Sequence, residues 1–172
     1  MLSFASEKVN SGSCVVRPLS IASLLLVAVA MALAHALELP GKMRLDRETY
    51  LAVQIYYPGF TFGGAAEPLA ILALLALLIF ATPAGCRLWW AAGALGALVA
   101  MQAIYWLVTH PVNSVWTQGL ELSGLGASFF ATFGGDMSGD WQRLRDVWEY
   151  SHVARAVCGM TALFCVAMAT MV

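Results

Sequence analysis

Four stretches of this chain are too long and too apolar to be left in water, and they constrain everything else about it. From Pro18 to Leu37 (PLSIASLLLVAVAMALAHAL) the sequence is almost wholly hydrophobic. At about 1.5 Å per helical residue, such a run reaches roughly 30 Å, the thickness of a bilayer's hydrocarbon core. A second run covers 65–81 (AAEPLAILALLALLIFA), with Pro68 in the first turn, where a missing N–H does no harm. A third covers 87–109 and ends at His110-Pro111; its Gly93, Gly96 and Ala97 form a small-residue face that lets helices approach closely in lipid. A fourth covers 141–171, charged in its first third and apolar from Val153 onward. The expected fold is therefore all-α: a four-helix transmembrane bundle running up-down-up-down.

Composition agrees. Hydrophobic residues make up 60% of the 172, charged residues 11%, and the mean hydropathy is +0.77. A soluble domain averages about a quarter charged residues, so this chain cannot coat a water-facing surface. The expected partner is the lipid bilayer. A formal net charge of −1 offers nothing to nucleic acid. Cys14, Cys86, Cys158 and Cys165 form no CxxC pair, which argues against thiol–disulfide exchange and for packing roles.

Between the runs lie less regular segments. Residues 1–17 read as a loose polar tail. Residues 39–64 carry the breakers Pro40, Gly41, Pro58 and Gly63-Gly64, around a short amphipathic helix expected at Asp46–Tyr56. Tyr50, Tyr56 and Tyr57 suit an interfacial aromatic belt. Residues 113–140, rich in Gly and Ser, resist assignment. A competing reading takes the first run as a cleaved leader, since Ala34-His35-Ala36 has the A-x-A form; cleavage there would remove His35.

Backbone polar groups cannot go unpaired in hydrocarbon, so each span must be a continuous helix and each span reverses the side of the chain. With four spans, one side, side B, receives His35 and Glu38 from the first, Glu67 from the second, and His110 and Asn113 from the third. From the fourth it receives Arg145, Glu149, His152 and Arg155. All three histidines thus gather at one rim. Residues three apart share a helix face, which pairs His35 with Glu38 and Glu149 with His152. For any single residue, an ion pair in the headgroup zone is a sufficient explanation. For a set drawn from several helices, ionisable groups at membrane depth point to a functional site. Lys42, Arg44, Arg47 and Arg145 read as headgroup-facing charges. Three basic residues on the opposite side (Lys8, Arg17, Arg87) stand against five on side B (Lys42, Arg44, Arg47, Arg143, Arg145), a positive-inside count that leans toward a cytoplasmic side B. Arginines near a functional cluster need not report topology, so the orientation stays open.

Three phrases carry a resemblance: His35-Ala-Leu-Glu-Leu-Pro-Gly-Lys-Met-Arg-Leu-Asp46, His110-Pro-Val-Asn113, and Trp141-x-x-Leu-Arg-Asp-x-Trp-Glu-Tyr-Ser-His-x-x-Arg155. From about Ala32 onward the chain resembles a family of small four-helix membrane proteins, largely of unknown function, that includes the anthrone oxygenases. The resemblance implies a four-helix membrane fold and, for some members, oxygenation of polyketide anthrones with no evident cofactor motif. By position it implies site residues at His35, Glu38, Pro40, Asn113, Trp148, Glu149, His152 and Arg155. Residues 114–140 form a longer loop than the family leads one to expect.

Three functions fit these residues. The first is an oxygenase or oxidoreductase acting on a lipophilic aromatic small molecule. His35 or His152 would act as base, Glu38 or Glu149 would orient the imidazole, and Arg155 would hold the oxyanion. Glu67, His110, Asn113 and Trp148 would line the substrate. The second is a metal or haem site in the same cluster, since Glu149-x-x-His152 has the form of a di-iron ligand pair, with Glu38 and Glu67 as additions. The third is a non-catalytic structural subunit in which the ion pairs only lock the bundle. The residue types do not name a cofactor.

Overall fold

The computed structural model describes residues 5–55, 61–80, 83–117 and 140–171, and among these the chain is all-helical, with no strand. Its elements in order are α1 (Ala5–Lys42), α2 (Arg47–Ile55), α3 (Thr61–Phe80), α4 (Cys86–Ile104), a π-helical turn (Tyr105–Thr109), α5 (His110–Trp116) and α6 (Trp141–Met171). Three stretches are long and apolar enough to cross a membrane: Leu24–Lys42, Cys86–Trp116 and Trp141–Met171. A shorter apolar helix covers Ala65–Phe80.

The helices extend beyond the apolar runs that nucleate them. The segment expected to be a loose tail is helical from Ala5 onward, continuous with the first apolar run. Once a helix is nucleated, each added residue contributes a backbone hydrogen bond without a further nucleation penalty. At its other end α1 passes through Pro40 and Gly41. An ion pair from Glu38 to Lys42 (2.8 Å, one turn apart) spans these supposed breakers. The helix then unwinds through Met43 N–H to Leu39 O, Arg44 N–H to Gly41 O and Leu45 N–H to Lys42 O. Gly63-Gly64 fall inside the first turn of α3, whose start at Thr61 precedes the expected one.

The third run does not end at His110-Pro111. It continues through a wide turn, in which His110 N–H bonds the Tyr105 carbonyl five residues back, into α5. Proline offers no N–H, and its ring clashes with the carbonyl four residues earlier. A π turn just before Pro111 accommodates both. Tyr56 and Tyr57, and the 118–139 part of the segment that resisted assignment, lie outside the described residues.

α1 packs on α3 and α6, and α4 packs on the same two helices. Leu25 and Ala32 of α1, Leu74 of α3, Leu98 and Met101 of α4, and Ala162 of α6 meet in the core. The closest approach is at Gly159 of α6. A Cβ there would lie 3.1 Å from Val29 Cγ2 and 3.5 Å from Met101 Sδ. Without a hydrophobic driving force between helices in lipid, contacts of this kind carry much of the association. The surface is inverted relative to a water-soluble protein. Phe80, Trp89, Leu107 and Met171 are more than three-quarters exposed, while Glu149 is fully buried.

Gly159→Leu drives a branched side chain into Val29 and Met101 and is expected to destabilise the fold by about 1–3 kcal/mol. Thermal unfolding in detergent checks this; a melting point equal to wild type would show that the three helices are not pressed together there.

Candidate functional site

The end of α1, the start of α3, the end of the α4–α5 stretch and the first half of α6 meet at one end of the molecule, with α2 against them. Here the residues expected at side B converge. The rings of His35 and His152 lie 4.5 Å apart, centroid to centroid, and Trp148 packs against both, at 5.2 Å and 3.9 Å. His35, His152, Glu149, Glu67, Arg155 and Trp148 are all buried.

Three anchors build this arrangement. The first is Arg155, whose Nη2 donates to Glu67 Oε1 at 2.6 Å while Gln102 Nε2 donates to Glu67 Oε2 at 2.8 Å. One carboxylate thereby ties α3 to both α4 and α6. The Arg155 guanidinium also lies over the Tyr105 ring, 5.1 Å from its centroid. The second anchor is Asn113, whose Oδ1 accepts from Trp148 Nε1 at 2.7 Å and whose side chain also bonds the Tyr105 hydroxyl. The third is a hydroxyl pair. Ser151 donates to the Trp148 carbonyl at 2.6 Å, so Thr109 must supply the hydrogen for its 2.8 Å contact with Ser151.

The imidazole partners are cations. His152 Nδ1 lies 2.9 Å from the Trp148 carbonyl, which can only accept, so that nitrogen carries the hydrogen. The lone pair is then at Nε2 and faces Arg155 Nη1 at 3.3 Å. His35 Nδ1 lies 3.4 Å from Lys42 Nζ. An ammonium has only hydrogens to offer, so Nδ1 accepts and the ring hydrogen of a neutral His35 belongs at Nε2. This differs from the expected imidazole–carboxylate dyads. Glu38 turns to Lys42 instead (2.8 Å), and Glu149 Oε1 accepts from the Tyr50 hydroxyl at 2.8 Å and faces Lys42 at 3.9 Å.

Two residues central to this network carried a different expectation. Lys42, read as headgroup-facing, is only 6% exposed. Tyr50, read as an interfacial belt residue, is fully buried, with its ring against Trp116 and Trp141. The signal for Lys42 was present in the sequence: it follows Glu38 by four and His35 by seven, all on one face of a helix taken to end too early. Tyr105 and Gln102 were also passed over as ordinary residues of an apolar run. His110 is buried and packs against Tyr105 and Trp106, joining the cluster through Tyr105. Glu38 sits at the rim, 47% exposed. Pro40 is exposed. Arg145 pairs with Asp146 at 2.8 Å and reaches the Met43 carbonyl.

With Lys42 and Arg155 standing between carboxylates and imidazoles, the Glu149-x-x-His152 pattern does not assemble a ligand set. Among the described residues no group of three or more His, Cys, Asp or Glu side chains is placed to hold a metal ion. Instead, Glu149 Oε2 and Arg155 Nε are wholly buried and have no hydrogen-bond partner among those residues. Buried polar atoms are normally satisfied, and an exception calls for an explanation such as strain, a catalytic role or a water or ion at that place. No protein-family model matches the chain, and neither a curated protein nor a solved structure does.

The cap of α2 governs Tyr50. Asp46 Oδ1 accepts from Thr49 N–H at 2.9 Å and Oδ2 from Thr49 Oγ1 at 3.1 Å. These bonds to the N-terminal turn hold the Asp46 carboxyl below the ordinary carboxylate range. Its capping contribution is therefore complete above that range and is lost as pH falls through the lowered value. Protection against hydrogen exchange over 47–55, taken relative to the intrinsic rate at each pH, should fall on acidification in wild type and be low at every pH in Asp46→Ala. In Asp46→Asn, a competent cap without charge, that protection should not respond to pH. Separately, Arg155→Met strands a buried Glu67 carboxylate and should cost about 3–5 kcal/mol of stability, most of it restored by adding Glu67→Gln. Detergent unfolding of the single and double variants measures both; a double variant as unstable as Arg155→Met would deny that the two residues act as a pair.

Proposed function

We propose that this chain is a multi-pass integral membrane oxidoreductase, with α1, α3, α4–α5 and α6 spanning up-down-up-down as a four-helix transmembrane bundle. In this reading it is an oxygenase of the anthrone-oxygenase-like group, acting on a lipophilic, enolisable aromatic small molecule at one membrane face. The observation that carries this reading is the unpartnered Glu149 Oε2, wholly buried in the wall of a cluster that includes two imidazoles, a lysine and an arginine. A carboxylate oxygen held there without a donor is poised to take a proton from a bound molecule.

The chemistry follows from the hydrogen-bond roles. Because both imidazole lone pairs face cations, Glu149 takes the part of base first expected of His35 or His152. Its other oxygen is fixed by Tyr50, so Oε2 has a defined direction. Removing an acidic ring C–H proton leaves an enolate, whose oxygen Arg155 Nε is placed to hold. Dioxygen is the co-substrate: a ring CH2 and O2 give a ring C=O and H2O, the electrons passing from the enolate to oxygen. His35, His152 and Trp148 form the aromatic wall against which a flat substrate stacks. The Glu67–Arg155–Gln102 group favours a second, purely structural role for Glu67 and Gln102, which lock α3 and α4 to α6.

Purified protein incubated with hydroxylated aromatics or quinols should take up oxygen. Glu149→Gln should lower that rate by about a hundredfold or more, the usual worth of a positioned base. His35→Ala combined with His152→Ala should lower it as well, by removing the stacking wall. Oxygen uptake equal in wild type and in both variants would sink the assignment.

A further inference from the structure

A lysine near the end of a membrane helix ordinarily runs its stem along apolar surface and lifts its ammonium into water. Lys42 does the reverse. Its position in the last turn of α1 already favours a cation through the helix dipole, and an exposed head would serve that purpose equally. Yet the side chain turns inward and is 6% exposed. Its nitrogen faces three acceptors on two helices: Glu38 Oε2 at 2.8 Å, His35 Nδ1 at 3.4 Å and Glu149 Oε1 at 3.9 Å. Trp148 closes a fourth side, its ring centroid 5.3 Å away. Of these partners Glu149 is fully buried and Glu38 is 47% exposed. The buried carboxylate is also faced by Tyr50 from α2 and by the charges of Glu38 and Arg145. Lys42 is thus a single ammonium with one carboxylate on the inside and one on the outside.

We propose that Lys42 carries protons between the buried Glu149 and the rim carboxylate Glu38. When Glu149 holds a proton, Lys42 passes one of its hydrogens to Glu38 and takes the proton of Glu149 in exchange. Glu149 returns to carboxylate, Lys42 remains an ammonium, and Glu38 releases the proton to water, so charge and atoms balance at each step. Nζ faces Glu149 Oε1, the oxygen that Tyr50 holds, at 3.9 Å, so a proton taken at Oε2 reaches Lys42 by a rotation of the carboxyl that releases the Tyr50 bond and closes this gap. The proposed oxygenation releases water and no net proton, so a proton sent outward after substrate deprotonation returns by the same route to the reduced oxygen. The relay equilibrates the buried base with solvent in both directions. The inference therefore rests on the reading of Glu149 as base, but its test requires no substrate.

The protein in lipid nanodiscs is subjected to a rapid pH drop while the carboxylic C=O stretch is followed by infrared spectroscopy; the band missing in Glu149→Gln belongs to Glu149. The expected result is protonation of Glu149 slowed about tenfold or more in Lys42→Met and slowed in Glu38→Gln, with Tyr50→Phe shifting the band's frequency and not its rate. Equal rates in wild type, Lys42→Met and Glu38→Gln overturn the relay, as does the absence of any Glu149 band across the pH range in which the protein stays folded. Should Lys42→Met lose its helical circular-dichroism signal, Glu38→Gln, altered at a half-exposed site, decides alone. Failure of oxygen uptake with normal band kinetics would reject the oxygenase reading and leave the relay standing.

Discussion

Arg155 is the interaction on which the rest of the molecule leans. An arginine on an apolar helix can be tolerated inside a bundle only if its charge is met there, since removing it from water costs several kcal/mol after relaxation. Glu67 meets it at 2.6 Å, and Gln102 meets the second oxygen of Glu67, so three helices share one charge balance. This fixes more than distance. Rotating α3 by one residue carries Glu67 through about 100° and away from Arg155, leaving two unpaired charges. The pair therefore sets the rotational register of α3 and α6, and that register in turn brings His152 beside His35.

The same balance explains why the i,i+3 pairs legible in the sequence do not become imidazole–carboxylate dyads. Sharing a helix face makes His35 and Glu38 neighbours, as it does Glu149 and His152, but it does not decide between competing partners. Two cations lie within reach of these faces, and a full charge is a stronger attraction for a carboxylate than a neutral ring. Glu38 goes to Lys42, and the imidazoles are left with the cations' remaining hydrogens. The result is an alternation of carboxylate, cation and imidazole in which each ring's tautomer follows from its neighbours.

Much of the architecture was written in hydropathy and span parity. The all-helical character, the three long apolar helices, and the meeting of His35, Glu67, Asn113 and His152 at one end need only runs of adequate length and a reversal at each. Local breaker residues do not decide where these helices end. Pro40-Gly41 predicts an end to α1 before Lys42, yet the helix runs through both residues and puts His35, Glu38 and Lys42 on one face. Pro111 likewise predicts an end to the third helix, although a single π turn carries the chain past it to Asn113 and Ser114. Tyr105 and Gln102 were illegible for a different reason: inside an apolar run nothing distinguishes a lipid-facing polar residue from one aimed at Arg155. Gln102 meets Glu67 and Tyr105 lies under Arg155, and which way each faces depends on helix rotation, which no periodicity in runs this uniformly apolar specifies.

The distribution of exposure is that of a chain surrounded by lipid. Leu37, Phe80, Trp89 and Leu107 present their side chains outward while Glu67, Glu149, His152 and Arg155 point inward. In water such an arrangement forfeits the burial of apolar surface and still bears the cost of desolvating the charges. In lipid the first term disappears, because the chain tails outside are as apolar as leucine, and packing and polar contacts must hold the helices together. Gly159 against Val29 supplies the close packing, and Thr109–Ser151 and Glu67–Arg155 supply the polar ties. Those ties lie at the same end as the unpartnered oxygen of Glu149. The groups that give the bundle its geometry thus also surround the buried Glu149 carboxylate, one oxygen of which they leave unpartnered among the described residues.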